Sequence, residues 1–175
     1  PAAGTGFPPL PASDPGLSVR VAAGDGGSLC LGQDTQLYLH ADAPLHVRVF
    51  DLYGTDGALL IYPNADKSGP VAADTAMALG GELGFRAVPV PGSDVERFLV
   101  IAAKTPAGLG RFAGWSGYCR ADVDTAALLH RGQGIPSGAR VASDGFRLLP
   151  ADDCPAPAVD RAGVATALEE IPPCD

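Results

Sequence analysis

From Leu17 onward, apolar and polar positions alternate with period two. Leu17, Val19 and Val21 fall on one side and Ser18, Arg20 and Ala22 on the other, before Gly24-Asp25-Gly26-Gly27 turns the chain. Gln36–Ala41 reads as a second strand and Asp42-Ala43-Pro44 as a tight connection. Leu45–Tyr53 sets Leu45, Val47 and Val49 against His46, Arg48 and Phe50. Gly54-Thr55-Asp56-Gly57 is a hairpin signal, and Ala58–Tyr62 is the returning strand. Gly84–Val88 and Arg97–Ala103 supply two more. Strands at this spacing, separated by Gly/Pro/Asp turns and with no helical period between them, predict a mainly β protein. The expected architecture is an antiparallel β-sandwich, immunoglobulin-like or similar, over about residues 17–118.

The pattern changes on either side. Residues 1–16 hold five prolines and little that packs, so they read as an extended arm lying along a surface, either their own domain's or a neighbour's. Its apolar residues, Phe7 and Leu10, are the candidates for that contact. Residues 119–175 read as a short α/β extension. Asp122 caps a short helix running to Leu129, and Arg140–Leu149 reads as a hairpin around Asp144-Gly145. A second short helix, Val159–Glu170, is ended by Pro172-Pro173.

Composition narrows the classes. Glycine (23) and proline (17) approach a quarter of the 175 residues, which suits turn-rich β structure. The net charge of -8 comes without a basic run or basic-aromatic cluster, so no nucleic-acid partner is expected. No stretch approaches the roughly 20 apolar residues that span a bilayer. A chain that begins at Pro1 without methionine agrees with a leader already removed. The four cysteines, Cys30, Cys119, Cys154 and Cys174, lack zinc-site spacing and predict disulfides in an oxidising compartment. Of the three possible pairings, Cys30–Cys119 with Cys154–Cys174 is preferred, because the second closes a short loop and the first pins the ends of the main domain.

Candidate chemistry is sparse. The run Leu59–Tyr62 stops at Pro63-Asn64 and becomes a polar loop. There Asn64, Asp66, Ser68 and Gly69 fall at positions one, three, five and six of a calcium-loop pattern. The twelfth position is Thr75, preceded by Asp74, so the bidentate carboxylate is missing; the loop reads as a strand end with an Asn turn. His40 and His46 flank Asp42–Pro44 and would face each other across a hairpin centred on Ala43, but no third metal ligand accompanies them. His130 ends the predicted helix, where a cation meets the dipole favourably. Gly114-Trp115-Ser116-Gly117 lacks the last glycine and the α/β context of a hydrolase nucleophile elbow. Phe112, Trp115 and Tyr118 either close the sandwich core, the favoured reading, or form a stacking and docking patch. The adjacent acids Asp152-Asp153 and Glu169-Glu170 read as a solvated face. No catalytic set, cofactor or metal is expected.

Two stretches carry a family resemblance. Val49–Asn64 ("VFDLYGTDGALLIYPN") and Val90–Ala102 ("VPGSDVERFLVIA") match a hairpin ending in Pro-Asn and a later strand preceded by a Gly/Glu pair. In these, residues 17–106 resemble the bacterial domain of unknown function 4384. The resemblance implies a small β domain appended to enzymes or envelope proteins, with no catalytic residues to carry over. The expected function is therefore a non-enzymatic accessory subunit, periplasmic, secreted or on the cell surface, that docks on protein partners in a larger assembly. The alternative is a glycan- or peptide-binding module that uses Trp115 and Tyr118.

Overall fold

A computed structural model of the chain describes residues 10–21, 27–30, 34–64, 67–74, 77–79, 85–86, 95–149, 151–154 and 168–175. The fold is mainly β. One sheet has the order β1 (Leu17–Val21), β4 (Leu37–Ala41), β7 (Met77–Leu79), all antiparallel. The other is six-stranded, in the order β10 (Cys119–Arg120), β6 (Gly57–Tyr62), β5 (His46–Tyr53), β9 (Val95–Ala103), β11 (Arg140–Leu148), β2 (Ser28–Leu29). It is antiparallel except for the β11–β2 pair. β3 (Asp34–Thr35) and β8 (Phe85–Arg86) form a small separate pair.

The period-two pattern of β1 and β4 builds the first core. Leu17, Val19, Val21, Leu37 and Leu39 point at Val47, Val49, Ile61, Phe98, Val100 and Phe146 of the large sheet. That sheet is covered on its other face as well. Phe50, Leu52, Leu60, Leu99 and Ile101 pack beneath the 3-10 segment Pro106–Gly114 and helix α1 (Val123–His130), through Leu109, Phe112, Trp115, Ala126 and Leu129. The expected sandwich thus carries a third, helical layer. Strands buried on both faces need apolar residues at every position. Hence the unbroken "ALLIY" of β6 and "FLVIAA" of β9. β5 feeds both cores by simple alternation, while the register shift beside Val49/Phe50 places an extra residue in β6, so that Ile61 and Tyr62 both enter the inter-sheet core. Gly54, in the left-handed region at φ 61°, turns the chain from β5 into β6 as the hairpin signal predicts.

Residues 119–175 are not an appendix. β10 and β11 belong to the main sheet, so the boundary expected at residue 118 divides one packing unit. Asp144-Gly145 makes no hairpin either: β11 runs unbroken beside β9, and Phe146 pairs with Glu96. Glycine stands at 145 because a Cβ there would lie 2.8 Å from the Glu96 carbonyl oxygen, and Asp144 accepts the Val21 N–H of β1. The 140–149 segment mimics a turn in composition while serving close strand approach. Of the second expected helix, only Leu168–Glu169 are helical among the described residues, and 159–167 lie outside them.

The arm question resolves for its second half. Leu10 packs on the helical-layer core, and Asp14, Ser13 and Pro11 bond to Val141 and Ser143 along the edge of β11 that β2 leaves uncovered. Residues 10–16 therefore lie on their own domain and close a sheet edge. Phe7 lies outside the described residues.

The disulfides are Cys30–Cys154 and Cys119–Cys174, not the preferred pairing. Sheet order overrides loop length here. Cys30 follows β2 and Cys154 follows β11, and those strands run parallel at one edge. Cys119 sits on β10 at the other edge, where the C-terminal segment is held by Arg120 N–H to Pro172 O and Cys174 N–H to Arg120 O. Each disulfide staples one edge. Two such bonds point to an oxidising, extracytoplasmic environment. No helix among the described residues is long and apolar enough to cross a membrane.

Helix α1 forms as expected. Asp122 accepts the Thr125 N–H at 2.8 Å and the Thr125 hydroxyl at 2.6 Å. Asp122→Ala is expected to cost about 1 kcal/mol, read as a lower urea midpoint, with Asp122→Asn close to the parent. Equal midpoints for the alanine variant and the parent would count against the cap.

Candidate binding pocket

Three segments meet around an open pocket of about 410 Å³ lined by His46, Arg48, Pro63, Asn64, Ser68, Gly69, Ser116 and Gly117. β5 contributes His46 and Arg48, which as i and i+2 share one face of the strand. The segment after β6 contributes Pro63, Asn64, Ser68 and Gly69, and the turn after the 3-10 segment contributes Ser116-Gly117.

Main-chain bonds hold the walls. The Tyr62–Pro63 peptide is cis. Asn64 donates its amide N–H to Ile61 O and accepts the Lys67 N–H on its side-chain oxygen, both at 2.9 Å. The Tyr62 hydroxyl donates to Gly69 O at 2.6 Å, and Gly117 N–H donates to Pro63 O at 2.9 Å. The loop expected from the Asn turn is thus formed, and both polar atoms of Asn64's amide serve it.

Arg48 is the charged element. Its Nε donates to Phe112 O at 2.9 Å, Nη1 to Val47 O at 2.8 Å and Nη2 to Ala113 O at 2.7 Å. These bonds close the last turn of the 3-10 segment and fix the plane of the guanidinium. Burial draws the guanidinium pKa below its ordinary value, while the Tyr62 hydroxyl beside it acts in the opposite direction.

The structure sorts the residues singled out from sequence. His46, Asn64 and Ser116 come together, and no hydrogen bond joins Ser116 to His46. His40 does not join them. It pairs with Ser18 in the three-stranded sheet, whereas His46 pairs with Ala103 in the six-stranded one. Asp42–Pro44 is therefore a crossing between sheets, and the expected face-to-face histidines do not occur. His40 instead lies 3.9 Å from the exposed Asp74. Asp66 lies outside the described residues, and among those described no group of three or more His, Cys, Asp or Glu is placed to hold a metal.

The aromatic segment divides: Phe112 and Trp115 are buried, but in the core beneath the helical layer and not in the inter-sheet core, and Tyr118 does not join them. Trp115 is 6% exposed and packs edge-on against Phe112 at 5.0 Å and Phe50 at 6.1 Å. No ring face of Trp115 is open for a ligand to stack on; Tyr118 is exposed. His130 is no surface cation at a helix end. Its buried ring accepts from Arg97 on Nδ1 at 3.0 Å and donates from Nε2 to Gly57 O at 2.7 Å, which ties α1 to the β5–β6 hairpin. Burial lowers its pKa, with the bond to the Gly57 carbonyl opposing that and Arg97 adding to it.

Two groups escaped the sequence reading. Arg48 looks like one more polar position of an alternating strand, and only the tertiary structure places Phe112 and Ala113 over it. Asp51 faces the inter-sheet core with Glu96, and its Oδ1 is occluded from solvent. Burial pushes the Asp51 carboxyl up to about 6, against a smaller lowering by its hydrogen bond to Glu96. A visible signal existed: both acids fall in phase with the inward-facing apolar residues of their strands.

No family model, curated protein or solved structure matches this chain.

Proposed function

We propose that the chain is a non-enzymatic accessory module of a bacterial cell envelope or surface, periplasmic or secreted, which docks on a larger protein assembly. The observation that carries this reading is how the pocket is built. Arg48 is bound to three carbonyls and Asn64 to its own loop, so the polar groups are fixed for holding a ligand or partner group. A rigid, preformed receptor lowers the ordering cost of binding. The resemblance of residues 17–106 to an accessory domain supports the same reading, as do disulfides that staple both edges of the sheet against an oxidising exterior. A glycan or peptide module built on Trp115 and Tyr118 is disfavoured by the burial of Trp115.

The test is purification of the endogenous protein at native stoichiometry. It is expected to elute with a second polypeptide in constant ratio through successive columns. A lone monomer throughout would overturn the proposal.

A further inference from the structure

We propose that the pocket lined by His46 and Arg48 of β5, by Pro63, Asn64, Ser68 and Gly69, and by Ser116-Gly117 recognises a carboxylate, carried by a small ligand of sugar-acid size and anchored by Arg48. The inference rests on the reading of the chain as a binding module, and not on the identity of any protein partner.

The donor count comes first. A guanidinium has five N–H groups. Three are taken by the carbonyls of Val47, Phe112 and Ala113. This leaves one N–H on each terminal nitrogen, the number a carboxylate takes in a two-oxygen contact. Among the described residues no carboxylate lies within ion-pair distance of Arg48; the ion pairs found there are His40–Asp74, Arg111–Asp122 and Arg140–Asp42. A half-buried cation answered only by carbonyl dipoles has lost much of its hydration without gaining a counter-charge. An incoming anion supplies that charge where water no longer screens it fully.

The rest of the lining defines what carries the carboxylate. Ser68 and Ser116 offer hydroxyls that act as donor or acceptor, and His46 adds an imidazole. Pro63 is the one sizeable apolar side chain in the lining, and the polar groups alternate with aliphatic carbon, so the ligand carries both polar groups and apolar C–H surface, as a sugar acid does. One cation and two N–H groups suit a planar monoanion better than a dianionic tetrahedral phosphate. The net charge of -8 on the whole chain disfavours dianions further.

The experiment is an NMR titration of the full, oxidised chain at constant ionic strength, with glucuronate, acetate, glucose and inorganic phosphate as separate probes. Glucuronate and acetate are expected to move the Gly69 and Gly117 amides and the Arg48 Nε–H, with glucuronate the tighter, and glucose is expected to leave them in place. Arg48→Gln is expected to weaken glucuronate at least about tenfold, and Arg48→Lys, which keeps the charge and loses the fork, by several-fold. Because Arg48 also braces the 3-10 segment, Ser68→Ala and Ser116→Ala provide variants that leave that brace intact. Each is expected to weaken binding by about threefold to tenfold. Silence from both carboxylates up to about 50 mM, well above the millimolar range of a single charged contact, overturns the inference. So does glucose binding as well as glucuronate, or phosphate binding more tightly than either carboxylate. Carboxylate binding by a chain that purifies alone would keep this inference and remove the docking proposal. A partner that co-purifies with a chain indifferent to carboxylates would do the reverse.

Discussion

Replacing Cys119 and Cys174 together by alanine is expected to lower the unfolding free energy by about 4 kcal/mol. The bond joins residues 55 apart, and chain-entropy arguments assign a loop of that size a cost of this order when the unfolded chain is released. Cys30–Cys154, with a separation of 124, gives about 5 kcal/mol by the same relation. Local structure should follow the same order. Loss of Cys119–Cys174 loosens the C-terminal segment, which Arg120 of β10 otherwise holds through its main-chain bonds to Pro172 and Cys174 and its guanidinium bond to Leu168 O. Alanine is chosen at 119 because that side chain is buried among apolar residues, where serine would add an unpartnered hydroxyl. Urea unfolding of the two double variants against the oxidised parent measures both effects. A change below about 1 kcal/mol for either would show that its bond does not constrain the unfolded chain. Peptide mapping without reductant tests the pairing itself, and a peptide linking Cys30 to Cys119 would refute the sheet order described above.

Asp51 should make the protein more stable near pH 4 than at neutrality, by roughly 2 kcal/mol for this group. Its carboxyl sits in the inter-sheet core, and burial lifts it from 3.8 to about 6. A carboxyl raised on folding binds its proton more tightly in the folded state. Its contribution is therefore complete below the unfolded value and is lost as pH rises through about 6. Asp51→Asn removes the titration while keeping an amide that can donate to Glu96. The variant is expected to gain most of that difference at pH 7–8 and little at pH 4. His130 works in the opposite direction: its pKa is lowered on folding, so its contribution is lost as pH falls below its ordinary 6.5. The informative quantity is the difference between variant and parent at each pH, from thermal or urea unfolding. A difference that stays flat between pH 4 and 8 would mean that Asp51 is ionised throughout in the folded chain.

Much of the fold was legible because it follows from local periodicity. The alternation of Leu17, Val19 and Val21 depends only on which face of one strand meets a core. The Gly54–Gly57 turn needs only a residue tolerant of positive φ, and the Asp122 cap only an acceptor within reach of Thr125. The Pro63-Asn64 loop was readable for the same reason, since Asn64 bonds to its neighbours Ile61 and Lys67. Every one of these interactions spans a few residues, so the sequence carries it whole.

Tertiary structure decided what depends on which strands become neighbours. The disulfide pairing follows sheet order, which places β2 and β11 at one edge and β10 at the other, whatever the loop lengths. Asp144-Gly145 has the composition of a turn, but the approach of the Glu96 carbonyl gives that glycine its reason. His40 and His46 part because Asp42–Pro44 crosses between sheets. Trp115 is buried because a helical layer covers a face that a two-layer sandwich would leave bare. The pocket is the fullest case. Arg48, Asn64 and Ser116 stand far apart in the chain, and the partners that orient Arg48 are mostly main-chain carbonyls, which no side-chain pattern announces. By itself the sequence determined most of the long strands and the cysteine chemistry, but not the short strands β2, β7 and β10 or the unbroken course of β11. Folding alone decided which surfaces met, because a contact across some 65 residues, such as Arg48 with Ala113, leaves no periodic trace in either segment.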